Sequence, residues 1–172
     1  MNSCVFVVEG KTDKALLQSL TNNYIVITDG TNVSRETINH LQALEKFHNI
    51  VIITDPDING TKISEKIGNS LNNPIIINVL RTEIKTKRKI GVAEMDRIAL
   101  LNKISEYNYG TKIIATIDYY PFWEFSRLNL ANKATKQAFL NEYSLMKGST
   151  KSIHQQLQYL GITFKVIAER NT

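Results

Sequence analysis

Four short apolar runs, dense in β-branched residues, recur along the first half of the 172-residue chain: Cys4–Val8, Tyr24–Thr28, Ile50–Thr54 and, after Pro74, Ile75–Leu80. β-branched side chains are stiff in a helix and pack well on a pleated surface. The runs do not alternate with polar residues, so each reads as a strand covered on both faces. Between them lie segments of helical period: Thr12–Leu20, with Ala15, Leu16, Leu17 and Leu20, then a stripe of Ile38, Leu41, Leu44 and Phe47, then Thr61–Leu71. Ser34 ahead of Thr37 offers the second helix a partial cap. Strand and helix in alternation predict an α/β fold, a parallel sheet of about four strands with right-handed crossovers.

Beyond this the pattern changes. Met95–Tyr107 is helical in period and Lys112–Ile117 reads as a last strand. After Asp118 an aromatic-rich piece (Tyr119–Arg127) leads to helices at Ala131–Met146 and Lys151–Leu160, with Gly148-Ser149-Thr150 as a stop and a new N-cap. The expected organisation is an α/β domain over 1–117 and a small helical domain over 118–172. No apolar run approaches the roughly 18 residues of a membrane span, nor does the N-terminus resemble a leader, so a cytoplasmic protein is expected. The single cysteine, Cys4, falls inside an apolar strand and reads as a small buried side chain. His40, His48 and His154 have no zinc spacing and read as ordinary helix or surface residues.

Carboxylates punctuate the strand ends. Glu9 follows the first strand, and Asp55 and Asp57 follow the third. The stretch from Asp55 to Gly60 matches the start of an EF-hand loop, but loop position twelve is Lys66, where a bidentate glutamate is required, and a strand rather than a helix enters it. Asp55-Pro56 could alternatively be a plain turn with Gly60 left-handed. In an open parallel sheet, ligands bind beyond the carboxyl ends of strands where strand order reverses. If the first and third strands are neighbours, Glu9, Asp55 and Asp57 converge, and three carboxylates together call for a cation. Oxygen-only ligands suit magnesium, with manganese as a substitute, rather than zinc. A receiver domain would want an adjacent acidic pair after the first strand and a lysine after a fifth, and only Glu9 is available at the first place.

Net charge is unevenly spread. Residues 1–80 hold six Lys/Arg against eight Asp/Glu, whereas residues 81–172 hold fifteen against eight. The excess includes the run Arg81–Lys89, where five of nine residues are basic: Arg81, Lys85, Lys87, Arg88 and Lys89. The asymmetry suggests a later part that faces a polyanion and an acidic first part that holds something else, with a merely solubilising basic surface as the alternative. Tyr119, Tyr120, Phe122, Trp123 and Phe125 read as a small core more than as a base-stacking platform.

The stretches VVEGKTD (Val7–Asp13) and TDPDINGTKI (Thr54–Ile63) resemble the signature of Toprim domains, a glutamate-glycine after the first strand and D-x-D after the third. With KTKRKIGV (Lys85–Val92) and LQYLGI (Leu157–Ile162), the chain resembles the ribonuclease M5 family. The resemblance implies a Toprim-type sheet with a small C-terminal helical domain and a magnesium-dependent endoribonuclease that matures precursor 5S ribosomal RNA, leaving 5′-phosphate and 3′-hydroxyl ends. A 5S-rRNA-binding ribosomal protein would be its partner, with the helical tail assisting docking. It makes Glu9 a metal ligand or general acid/base and Asp55 and Asp57 the magnesium pair, all three catalytic. Lys11, Lys85, Lys87, Arg88 and Lys89 would bind RNA, and Asp13 would begin the helix or hold an outer-shell water. The family's G-V-E-H-A reads Gly91-Val92-Ala93-Glu94-Met95 here, so Glu94 falls one position late and takes no role from the resemblance. Two other readings stand beside it: a Toprim protein acting on DNA, and a non-catalytic RNA-binding module for ribosome assembly.

Overall fold

The computed structural model describes residues 3–30, 32–84, 91–114, 130, 132–163 and 165–167. Lys85, Lys87, Arg88 and Lys89 and the aromatic run Tyr119–Arg127 lie outside the described residues. Contacts divide the chain into two compact units, Met1–Thr111 and Lys112–Thr172.

In the first unit β1 (Cys4–Val8), β2 (Tyr24–Ile27), β3 (Asn49–Ile53) and β4 (Ile75–Ile77) form a parallel sheet in the order β2-β1-β3-β4. Strands β1 and β3 are central, and from Val5 to Val8 and Ile50 to Ile53 every side chain is fully buried, as their unbroken apolar runs require. Each fully buried Val or Ile contributes about 1.5–3 kcal/mol relative to exposure. β4 stops short of the expected Leu80 because it is an edge strand with one neighbour; Ile76 is 45% exposed.

The crossovers contain α1 (Lys11–Gln18), α2 (Arg35–Glu45) and α3 (Ile58–Gly68), and α4 (Arg97–Ile104) follows a short 3-10 turn, Val92–Glu94. Ser34 caps α2, its hydroxyl accepting the Thr37 amide at 3.0 Å. The buried face of α2 is Thr37, His40, Leu41 and Leu44; Phe47 lies past the helix end and is 45% exposed, so the apolar stripe overreached by one member. Helix α3 begins before the expected Thr61 because Asp57 caps it, accepting the Gly60 amide at 2.8 Å. Gly60 is therefore helical, not left-handed.

The histidines correct the surface reading, since His40, His48 and His154 are all buried. His48 Nδ1 lies 2.8 Å from Ser3 Oγ, and His40 packs edge-on against Tyr24. Cys4 is buried, and burial pushes its thiol up, which opposes any nucleophilic use.

The second unit contains α5 (Lys133–Glu142) and α6 (Thr150–Tyr159), capped by Asn132 and Ser149. Helix α5 ends before the expected Met146, and Ser144 turns to a φ of 53°. Buried Gln156 pins the loop between them, accepting the Met146 amide at 2.7 Å and donating to the Met146 carbonyl at 3.2 Å. Of the expected strand Lys112–Ile117, the described residues 112–114 are not in a strand, and the rest lie outside the described residues.

Candidate active site at the carboxyl ends of the central strands

Parallel pairing sets Val7 of β1 opposite Ile52 of β3, so the residues just past both strands emerge side by side. Strand order reverses between these two strands, with β2 reached on one side and β4 on the other. Glu9 Oε1 accepts the Asp55 amide at 2.9 Å, a bond across 46 residues that fastens the two strand ends together. Helix α3 then approaches so closely that a Cβ on Gly60 would lie 2.1 Å from the Asp55 carbonyl oxygen and 2.8 Å from Glu9 Oε1.

An open cleft of about 510 Å³ lies over this junction. Its lining includes five acids, Glu9, Asp13, Asp29, Asp55 and Glu94, and no lysine, arginine or histidine among the described residues. Asp13 starts α1, its Oδ2 accepting the Gly10 amide at 2.9 Å. Asp29 and Gly30 turn off β2 with φ of 60° and 97°. Asp55 Oδ1 accepts the Val92 amide at 2.6 Å. Glu94 comes to the same place: a Cβ on Gly91 would meet Asp55 Oδ2 at 3.0 Å and Glu94 Oε2 at 3.2 Å.

The electrostatics follow from crowding. Burial raises the Glu9 carboxyl above its usual range, the Asp55 amide offsets part of this, and the charges of Asp55, Asp57 and Asp13 add to the rise. Burial likewise raises Asp13, against amide bonds from Gly10 and Ala93 and with repulsion from Glu94. Asp55 is pushed up to about 6, first by burial, then by Asp13, Asp57 and Glu94, with the Val92 amide working the other way.

This crowding has a measurable consequence. Folded protein binds the Asp55 proton more tightly than unfolded protein does, so the stabilisation is complete below the usual value of 3.8 and is lost as pH rises through about 6. Without divalent cations, thermal stability at low ionic strength is expected to fall between about pH 4 and about pH 7, and Asp55→Asn to flatten the slope. An unchanged slope in Asp55→Asn contradicts the crowding.

Of the residues singled out in the sequence, Glu9 and Asp55 are brought together. Asp57 caps α3 and acts on both through its charge, and it does not line the cleft. Lys11 is exposed at the start of α1. Glu94, Asp13 and Asp29 join the cleft although periodicity gave Glu94 and Asp29 no role there. Only the position of Asp29-Gly30 at a strand's carboxyl end, and of Glu94 after the glycine that closes the basic run, could have signalled them.

The donors suit a hard divalent cation: carboxylate oxygens alone, held close and raised in proton affinity by burial and by one another's charge. Glu9, Asp55 and Asp57 each spend one oxygen on a backbone amide. Among the described residues no group of three Asp, Glu, His or Cys side chains is arranged to hold an ion as it stands.

A glutamate past the first strand and a D-x-D past the third, on a 2-1-3-4 parallel sheet, define a Toprim domain, and the Toprim domain family matches residues 4–88. The fold is shared with a solved small Toprim domain protein from Bacillus stearothermophilus, with a TM-score of 0.53 over 66% of this chain and 92% of that one at 19% identity. The chain belongs to the ribonuclease M5 family. It is 31% identical to the ribonuclease M5 of Mycoplasma pneumoniae, covering 96% of this chain and 92% of the relative. It is 29% identical to that of Mycoplasma genitalium over 94% and 90%, and 26% identical to that of Borreliella burgdorferi over 92% and 87%. Among the described residues no helix is long and apolar enough to cross a membrane.

Proposed function

We infer that this protein is a cytoplasmic, magnesium-dependent endoribonuclease that matures precursor 5S ribosomal RNA by phosphodiester hydrolysis. The observation that carries the reading is the Glu9–Asp55 junction in a cleft that, among the described residues, is lined by five acids and no cationic side chain. Family membership supplies the substrate class.

Glu9, Asp55 and Asp57 are the residues that would hold magnesium, or manganese in its place. The bound ion would supply Lewis-acid polarisation of a phosphoryl oxygen and a lowered pKa for a water nucleophile. Glu9 keeps Oε2 clear of the Asp55 amide, and its raised proton affinity suits it to take a proton from water or return one to the leaving oxygen. Asp55 is oriented by the Val92 amide, and Asp57 keeps α3 in register through its cap. Lys11 offers a cation at the start of α1. Lys85, Lys87, Arg88 and Lys89 neutralise RNA phosphates, which position the RNA without specifying it. Recognition of one RNA then comes from its folded shape, aided by a 5S-rRNA-binding ribosomal protein docked with the help of the helical domain at 118–172.

The test incubates the purified protein and magnesium with precursor 5S rRNA, with and without the cognate ribosomal protein. The expected result is shortened RNA bearing 5′-phosphate and 3′-hydroxyl ends. RNA shifted in a gel but never shortened would leave a binding module, and shortened DNA with intact RNA would leave a DNA enzyme. Replacing Lys85, Lys87, Arg88 and Lys89 together by alanine is expected to lower the slope of log affinity against log salt by about 3, at roughly 0.7–0.9 per phosphate contact. An unaltered slope removes these residues from the interface.

A further inference from the structure

The short segment Gly91–Glu94 does more at the cleft than connect the basic run to α4. Val92 donates its amide to Asp55 Oδ1 at 2.6 Å across 37 residues, and the next amide, that of Ala93, lies near enough to Asp13 to lower its carboxyl. A main-chain donor of this 3-10 turn thus holds the carboxylate at the β3 end, and the next one faces the carboxylate on α1. The approach is close: at Gly91 a Cβ would lie 3.0 Å from Asp55 Oδ2, so the carboxylate would have to give by a few tenths of an ångström. The turn itself is anchored. Val92 and Met95 are buried in the core behind the sheet, Met95 forms an antiparallel bridge with Ile84, and the turn packs on α1. A donor on so fixed a base aims Asp55 in one direction, whereas a surface amide would not.

We propose that Val92 is a positioning residue of the metal centre: its main-chain amide fixes the Asp55 carboxylate that would hold the cation. This rests on the reading of Glu9, Asp55 and Asp57 as metal ligands, and adds to it a residue whose side chain never meets metal or RNA. Proline at 92 tests it because it removes the amide proton and sets a ring carbon in the direction of Asp55 Oδ1, so the carboxylate loses its donor and must turn away. Val92 is the first residue of its 3-10 turn, where proline is tolerated, and Gly91 has the extended backbone (φ −160°, ψ 163°) that a following proline demands. Val92→Ala is the paired variant, since it removes buried side chain and keeps the N–H.

Both variants are assayed as full-length protein for folding by circular dichroism, for magnesium-dependent rise in melting temperature, for terbium luminescence and for cleavage against magnesium concentration. Val92→Pro is expected to raise the half-saturating metal concentration about 10–100-fold, the usual effect of losing a ligand-orienting partner, with cleavage recovering at high magnesium. Val92→Ala is expected to keep its half-saturation near the wild-type value. Wild-type metal affinity in folded Val92→Pro overturns the proposal, as does an equal loss in Val92→Ala, which would assign the effect to packing. If the unaltered protein neither binds the metals nor cleaves, the underlying metal-centre reading falls with it.

Discussion

Asp55→Ala is expected to abolish cleavage of precursor 5S rRNA while leaving RNA affinity within about twofold. Asp55 is the carboxylate on which the cleft converges: it meets the Glu9 side chain through its amide, the Val92 amide through Oδ1, and the charges of Asp13, Asp57 and Glu94. Removing it deletes a proposed metal ligand and frees the Val92 donor at once. If metal-assisted stabilisation is worth several kcal/mol, single-turnover cleavage falls by about a thousandfold or more, at 1.4 kcal/mol per tenfold. Affinity survives because the phosphate contacts are assigned to lysines and arginines elsewhere in the chain. Single-turnover rates and fluorescence anisotropy on the same RNA separate the effects. Undiminished cleavage removes Asp55 from the mechanism, and a matching loss of affinity merges the two surfaces.

Two glycines of α3 are expected to respond to alanine with opposite signs. At Gly60 the added methyl meets the Asp55 carbonyl oxygen at 2.1 Å and Glu9 Oε1 at 2.8 Å. The carbonyl is backbone, so the helix must retreat from β3, which costs about 1–3 kcal/mol or more. Activity should fall further than stability, because the displaced groups are those that join the two strand ends. At Gly68 the methyl would meet only Ile76 Cδ1 at 3.6 Å, ordinary contact, and alanine should stabilise by about 0.5–1 kcal/mol through reduced unfolded-state freedom. Urea unfolding of both variants, with cleavage assays, gives the comparison. A Gly60→Ala protein as stable and active as the parent would mean that α3 does not lie against the Glu9–Asp55 junction.

The apolar runs were enough to recognise the sheet. Cys4–Val8 was legible to the residue because nothing but burial on both faces accounts for five consecutive apolar side chains. The other boundaries shifted where local rules met a competing interaction. Asp57 was read for its charge, and its second use, capping α3, moved that helix start forward to Ile58. The histidines were read by type, which cannot reveal that Ser3 meets the buried His48 and Tyr24 the buried His40.

What the amino-acid order determined by itself is the set of elements and the acids at their ends: hydrophobic period and β-branching act over a few residues, and a carboxylate beside a glycine is visible wherever it falls. Only the tertiary structure decided which acids share a cleft. Glu94 and Asp13 reach Asp55 through a turn and a helix start that are distant in sequence, and the Val92 amide that orients Asp55 leaves no trace in side-chain identity. Proximity across tens of residues is set by strand order and by how closely a glycine lets two backbones approach, and neither is encoded in any single stretch of chain.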